Sequence, residues 1–106
     1  MFKKVCIIGC GLIGSSLARA IKKNNLAKKI VSSNRSEATN KKVIELKIVE
    51  ESSSDTKNMV KGSDLVVIAT PLSSYESLIL KIKDSLNDGA ILTDVGSVKE
   101  NVLNLI

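Results

Sequence analysis

A glycine-rich segment at residues 9–14, with the sequence G-C-G-L-I-G, constrains the fold of this chain more than any other feature. It follows the apolar run V-C-I-I at residues 5–8, so we expect a buried strand, a tight turn and then a helix. In such a turn Gly9 permits the bend, Gly11 lets a pyrophosphate approach the main chain, and Gly14 lets helix and strand pack closely. The helix N-terminus adds unpaired N–H groups and a partial positive charge. Because a strand precedes it and a helix follows it, the segment predicts a dinucleotide-binding site.

Strand and helix patterns alternate along the rest of the chain. The predicted strands cover residues 5–8, 29–33, 48–49, 65–69 and 90–95. The predicted helices cover residues 12–23, residues 36–46 and a segment that begins after Ser73, with a polar loop at residues 52–55. The first helix is expected to bury Ile13, Leu17, Ala20 and Ile21, and the last one Leu78, Ile79, Ile82 and Leu86. This alternation predicts one doubly wound α/β domain over residues 1–106, with a parallel sheet of order 3-2-1-4-5.

Composition excludes several classes of protein. No segment approaches the roughly 18 to 20 apolar residues of a membrane span, and the first strand begins too early for a signal peptide, so we expect a cytoplasmic protein and no membrane partner. The two cysteines, Cys6 and Cys10, are expected to be packed, reduced thiols. The net charge is +5, but aromatic residues do not accompany the lysines, which disfavours a nucleic-acid partner. The chain has no histidine, the commonest acid–base group near neutral pH.

The residue that ends the second strand predicts the type of cofactor. An acid at this position would bind the ribose hydroxyls of NAD and repel a 2′-phosphate. The chain has Asn34 instead, followed by Arg35 and Ser36. Without the carboxylate the repulsion is absent, and the Arg35 guanidinium can contact a phosphate or the adenine face. We therefore expect NADP to be preferred, with NAD possible. The alternative is a surface arginine beside a turn asparagine, with NAD bound through weaker contacts.

Two further segments lie at predicted carboxyl ends of strands, where ligands of open sheets bind. The first is Ala69-Thr70-Pro71, whose proline either shapes the loop against the nicotinamide half of the cofactor or only ends the strand. The second includes Ser97, which either presents its hydroxyl to the substrate or nicotinamide, or caps a helix with Glu100. The predicted cofactor-binding residues are Gly9, Gly11, Leu12, Ile13, Gly14, Asn34, Arg35, Ser36, Ala69, Thr70 and Pro71.

Three segments together resemble the prephenate/arogenate dehydrogenase family of tyrosine biosynthesis. They are G-C-G-L-I-G-S-S-L-A-R-A-I at residues 9–21, A-T-P at residues 69–71 and T-D-V-G-S-V-K at residues 93–99, of which the last is the most specific. The resemblance implies an NAD(P)-dependent oxidative decarboxylation of prephenate or arogenate, in which a hydride passes to the nicotinamide and carbon dioxide leaves. It also implies that Ser97 lies beside substrate and nicotinamide, which makes it the catalytic candidate.

The resemblance covers only the nucleotide-binding half of such an enzyme. The family's catalytic histidine, its substrate-binding arginine and its helical second domain, which forms a homodimer, would follow residue 106. We therefore expect residues 1–106 to bind cofactor without turning over substrate. Family members that use NAD usually carry an acid where Asn34 stands. Two alternatives stay open: a β-hydroxyacid or pyrroline-carboxylate type reductase, which lacks the D-V-G-S-V-K segment, and a nucleotide-sensing module without chemistry.

Overall fold

A computed structural model of the chain describes residues 2–70 and 75–94, in which strands and helices alternate. The strands are β1 (Phe2–Ile8), β2 (Ala27–Ser33), β3 (Glu51–Ser53), β4 (Leu65–Ile68) and β5 (Ile91–Asp94). The helices are α1 (Leu12–Lys23), α2 (Glu37–Glu45), α3 (Thr56–Val60) and α4 (Tyr75–Ile82), followed by a 3-10 turn at Lys83–Ser85.

The five strands form one parallel sheet in the order β3-β2-β1-β4-β5, which confirms the predicted doubly wound topology. The strands end level with one another. Ile8, the last residue of β1, pairs with Ser33 of β2 and Ile68 of β4, and these pair in turn with Ser53 of β3 and Asp94 of β5. The residues that directly follow the strands therefore share one edge of the sheet, which is the edge where open α/β sheets bind ligands.

Strand β1 is the centre of the sheet because its last four residues are apolar and are buried on both faces. Side chains alternate between the faces of a strand. Val5 and Ile7 accordingly pack with α1 and α2, whereas Cys6 and Ile8 pack with α3 and α4. Full burial of such a side chain contributes about 1.5 to 3 kcal/mol, so this strand anchors both hydrophobic layers. Cys6 is a free, buried thiol as predicted, and so is Cys10.

The predicted third strand at residues 48–49 is wrong. Ile48 and Val49 are buried in the layer between the sheet and helices α1 and α2, while β3 begins at Glu51 and pairs with β2. The chain turns at Lys47, which has a positive φ of 58°. The side chains of Ile48 and Val49 therefore enter the hydrophobic core before β3 begins. The apolar pair therefore indicated burial and not strand pairing. The predicted loop at residues 52–55 contains the last two residues of β3 and the Asp55 cap of α3 instead.

The helices differ from prediction in which residues they bury. Helix α1 has the predicted bounds, but its buried residues are Gly14, Leu17, Ala18 and Ile21, and Ile13 is 54% exposed. In α4, Ile82 is fully buried and Leu78 is partly buried, whereas Ile79 is exposed. Leu86 also packs on this layer, although it follows the 3-10 turn. The predicted cap Ser73 lies outside the described residues.

Candidate functional site

The glycine turn between β1 and α1 is shaped by contacts that only glycine allows. Gly9 has a φ of +85°, and a Cβ built there would lie 2.7 Å from Thr70 Cγ2. A Cβ at Gly14 would lie 2.8 Å from the Gly9 carbonyl oxygen. Gly11 is different, because a Cβ there would meet no atom of the described residues within 4 Å. The bend at Gly9 and the close packing at Gly14 are thus as predicted, and the surface above Gly11 is open.

The first turn of α1 carries no side-chain cap. Gly11 occupies the N-cap position, where it has no side chain to offer, and no acidic residue follows in the first turn. The amide groups that begin an α-helix have no partner within the helix, and they favour an anion. Leu12 is 88% exposed beside them. This helix end can therefore receive an anionic group from outside the chain.

Asn34 lies at the end of β2 and is hydrogen-bonded to the glycine turn. Its Oδ1 atom accepts the Cys10 amide N–H with an N–O distance of 2.5 Å. Its Nδ2 atom lies 3.0 Å from Asn40 Oδ1 and 3.3 Å from the hydroxyl oxygens of Ser32 and Ser52. We call Ser32, Asn34, Asn40 and Ser52 the amide cluster. Through it, the glycine turn is joined by side chains to β2, α2 and β3.

A cavity of about 670 Å³ opens at the carboxyl edge of the sheet, beside the glycine turn. It brings together four of the predicted site residues, Gly9, Asn34, Arg35 and Thr70. It also includes residues that the sequence analysis missed, namely Ser54, Thr56, Ser77, Leu78 and Lys81. The charged residues of its lining within the described ranges, Arg35 and Lys81, are both cations. The cavity is therefore suited to an anionic ligand.

The other predicted residues within the described ranges do not line this cavity. Gly11 and Leu12 line a second groove of about 340 Å³ between α1 and α2, together with Arg19 and Lys42. Ile13, Gly14, Ser36 and Ala69 line neither cavity. Ser36 caps α2 by accepting the Thr39 amide N–H at 3.3 Å, and Ala69 donates its amide to the Ile8 carbonyl at 2.8 Å. Pro71 and Ser97 lie outside the described residues.

Thr70 Oγ1 is a buried atom without a hydrogen-bond partner in the described part of the chain. Buried hydroxyls nearly always have a partner, so such an atom beside a cavity indicates a place for a ligand or a water molecule. A sequence cannot reveal this atom, because its isolation depends on the packing of Thr70 against Gly9.

The two cysteines do not supply a nucleophile or a metal ligand at this site. Burial raises the pKa of Cys6 to about 12, and burial also raises the pKa of Cys10, against the opposing hydrogen bonds from Ser15 and Ser32. Both thiols are thus protonated near neutral pH. Within residues 2–70 and 75–94, no three His, Cys, Asp or Glu side chains are grouped as a metal site. The same ranges contain no helix long and apolar enough to cross a membrane.

Comparison with known proteins decides among the families that share such a turn. A family model described as the nucleotide-binding domain of prephenate dehydrogenase matches residues 17–106. The chain belongs to this family. It is 35% identical over 104 residues to prephenate dehydrogenase of Lactococcus lactis, covering 97% of this chain and 29% of that protein. It is 30% identical over 106 residues to cyclohexadienyl dehydrogenase of Zymomonas mobilis, covering 100% of this chain and 36% of that protein.

Solved structures agree with the fold of the prephenate dehydrogenase domain. The crystal structure of prephenate dehydrogenase from A. aeolicus in complex with hydroxyphenyl propionate and NAD+ superposes with a TM-score of 0.81 at 21% identity. The superposition covers 97% of this chain and 39% of that one. The chain thus spans about a third of the length of its relatives, which are oxidoreductases. The β-hydroxyacid type and the sensing-module alternatives are not favoured by these matches.

Proposed function

We propose that this chain forms the nucleotide-binding part of a prephenate or arogenate dehydrogenase. The observation that carries the proposal is the open surface above Gly11, at the uncapped start of α1, in a chain of this family. An anionic diphosphate fits there, because the free amides can donate to its oxygens and the helix dipole favours its charge. The unpartnered Thr70 hydroxyl and the two cations of the 670 Å³ cavity support the same ligand class.

The cofactor is proposed to be a nicotinamide dinucleotide, with NADP preferred over NAD. The support for NADP is the neutral Asn34 at the end of β2 and the two cations, Arg35 and Lys81, in the same cavity. In the described part of the chain, neither cavity is lined by an acidic side chain that would repel a 2′-phosphate. The A. aeolicus relative is described as a complex with NAD+, so NAD itself stays within the proposal.

A nicotinamide bound here would supply the hydride acceptor for an oxidation of the substrate ring that is coupled to the loss of carbon dioxide. The part of this chain nearest that reaction is proposed to be the carboxyl ends of β4 and β5. Thr70 follows β4 in the described structure. Pro71 and Ser97 stay predictions, the first for shaping the nicotinamide pocket and the second for orienting the substrate. If Ser97 orients substrate, Ser97→Asp should leave cofactor affinity intact and abolish turnover in the complete enzyme.

The substrate, the dimer and the location are also proposals. The relatives are about three times as long as the part that this chain matches. We therefore assign substrate binding and homodimer formation to the region that corresponds to the rest of their length. The cytoplasmic location remains a prediction.

Gly11→Ala tests the proposed function. Among residues 2–70 and 75–94, a methyl group at Gly11 meets no atom within 4 Å, and the position needs no positive φ. The variant should therefore fold, with a loss of about 1 kcal/mol from the weaker N-cap. The methyl group would occupy the space assigned to the diphosphate. We expect calorimetric titration with NADPH and NADH to show both affinities reduced at least tenfold. Unchanged affinity for both nucleotides in a folded Gly11→Ala variant would refute the proposed site.

A further inference from the structure

The amide cluster has a fixed pattern of donors and acceptors that starts from Asn40. This side chain is 2% exposed, and its Nδ2 atom donates to the Asn34 backbone carbonyl at 3.1 Å and to Glu37 Oε1 at 3.3 Å. These two acceptors fix which end of the amide faces them. The Oδ1 atom of Asn40 therefore points to the Asn34 side chain as an acceptor.

Ser52 strengthens this pattern. Its hydroxyl donates to Asn40 Oδ1 at 2.6 Å, so that proton is not available to Asn34. What Ser52 offers to Asn34 Nδ2, 3.3 Å away, is a lone pair. The Ser32 hydroxyl, 3.3 Å from Asn34 Nδ2, gives its own proton to Ser52 Oγ 2.6 Å away, because the Ser52 proton is already used, and so it too offers a lone pair. On one side, then, residue 34 faces three acceptors, and on the other it faces the Cys10 amide N–H, which is a donor. Only a side chain that both donates and accepts satisfies the two sides, and a neutral amide does so.

We propose that Asn40 and Ser52 are positioning residues that set the nucleotide preference of this domain by requiring a hydrogen-bond donor, and hence an uncharged side chain, at position 34. Neither of them lines the 670 Å³ cavity, whereas Asn34 does. A carboxylate at position 34 would place an anionic oxygen against Asn40 Oδ1. The Asn40 amide cannot flip to avoid this contact, because its oxygen would then face the backbone carbonyl oxygen of residue 34. The ribose end of the cavity is thus kept free of negative charge. This inference rests on the proposed function for its ligand, but its hydrogen-bond requirement does not.

Asn34→Asp tests the requirement without any nucleotide. A protonated carboxyl can donate to Asn40 Oδ1 and accept from Cys10 N–H, as the amide does, but a carboxylate cannot donate. The Glu37 carboxylate and the acceptor oxygens of Asn40 and Ser52 disfavour ionisation of the aspartic acid at position 34. The Cys10 amide N–H and the cations Arg35 and Lys81 favour its ionisation. The Cys10 thiol, whose pKa is raised by burial, stays neutral. We expect the close acceptors to dominate and to raise the pKa of the new carboxyl in the folded state.

A raised folded-state pKa means that the folded variant binds more protons than the unfolded one, so its stability falls as pH rises above about 4. Relative to wild type, the unfolding midpoint of Asn34→Asp should therefore drop by about 5 °C or more between about pH 4.5 and pH 7.5. Asn34→Ala is the control, because it loses the same bonds without a titrating group and should show a constant difference from wild type. An Asn34→Asp midpoint that follows wild type across this range would overturn the proposal.

Asn40→Ser in the Asn34→Asp background tests the effect on nucleotide preference. Removing Asn40 Oδ1 frees the Ser52 proton to donate to Asp at position 34, so a carboxylate becomes acceptable. The double variant should lose most of the pH-dependent drop and shift the NADPH:NADH affinity ratio at least tenfold toward NADH. An unchanged ratio, with the carboxylate ionised, would contradict the proposed control of preference. If wild type binds neither nucleotide, the proposed function fails while the pH experiment still decides the hydrogen-bond requirement.

Ser52→Ala extends the test to a variant that keeps Asn34. Loss of the Ser52 hydroxyl removes a donor to Asn40, and we expect both nucleotides to bind several-fold more weakly through a looser glycine turn. Ser53→Ala is the matched control, because the hydroxyl of this next residue of β3 accepts the Asp55 amide N–H at 3.1 Å and does not belong to the amide cluster. Equal nucleotide affinities in the two variants would contradict a positioning role for Ser52.

Discussion

Two strand ends flank the glycine turn, and they are completed in different ways. At the end of β2, the Asn34 side chain makes hydrogen bonds on both sides, to Cys10 and within the amide cluster. At the end of β4, Thr70 packs tightly against Gly9 but leaves its hydroxyl without a partner in the described residues. A buried polar group with hydrogen-bond partners in the protein needs no ligand to satisfy it. An unsatisfied buried polar group destabilises the folded state by about 1 to 3 kcal/mol. The β2 end therefore organises the site, and the β4 end is left to meet a ligand.

Gly9→Ala should have the largest effect, because Gly9 joins the two strand ends. The new methyl group would lie 2.7 Å from Thr70 Cγ2 and 3.3 Å from the Thr70 nitrogen, at a φ of +85°. We expect a loss of about 2 to 4 kcal/mol in the free energy of unfolding, measured by urea denaturation. Gly89→Ala is the matched control, because Gly89 has a φ of +80° and a Cβ there would meet nothing within 4 Å in the part of the chain that the structure describes. This variant should lose only about 1 kcal/mol. Similar losses in both variants would show that the contact with Thr70 is not tight.

Arg35→Ala should have the next largest effect, on nucleotide affinity and not on folding. Arg35 is exposed and lines the cavity at the β2 end, where a charge-assisted contact to a 2′-phosphate would contribute about 1.5 to 3 kcal/mol. We expect NADPH to bind at least tenfold more weakly and NADH to be nearly unaffected, as read by fluorescence titration. Lys81→Ala should act in the same direction but more weakly, and Lys83→Ala, outside the cavity, should not. Equal weakening of both nucleotides by Arg35→Ala would mean that the arginine does not contact the 2′-phosphate.

The contrast between the strand ends also marks what the sequence could predict. The glycine spacing and the four-residue apolar run of β1 were sufficient for the turn and the central strand, because these depend on local geometry and burial. The alternation of strand and helix patterns was sufficient for the sheet order. The hydrogen bond from Cys10 to Asn34 and the isolation of the Thr70 hydroxyl depend on three strands meeting at one edge. Ser54 and Thr56 were missed because the third strand was placed at residues 48–49, which moved its carboxyl end away from the site.

Thr56→Val should have a moderate effect on stability. The Thr56 hydroxyl lies 2.8 Å from Ser33 Oγ in a buried pair beside the β2 end, and valine has nearly the same shape without the hydroxyl. The substitution leaves the Ser33 hydroxyl unpaired, so we expect a loss of about 1 to 2 kcal/mol in the free energy of unfolding by urea denaturation. A loss below about 0.5 kcal/mol would indicate that water replaces the missing partner.

Thr70→Val should have the smallest effect on stability, although it is the same chemical change beside the other of the two strand ends. The Thr70 hydroxyl has no partner to lose in the described part of the chain, and valine keeps the methyl group that packs on Gly9. Removing an unsatisfied buried hydroxyl is neutral or stabilising, so the free energy of unfolding should stay within about 0.5 kcal/mol of wild type or rise. Because this hydroxyl is left to meet a ligand, we expect the same variant to bind NADPH and NADH several-fold more weakly. Thr70→Val as destabilising as Thr56→Val would show that the β4 end is already satisfied by the protein, and that the difference between the two strand ends does not exist in solution.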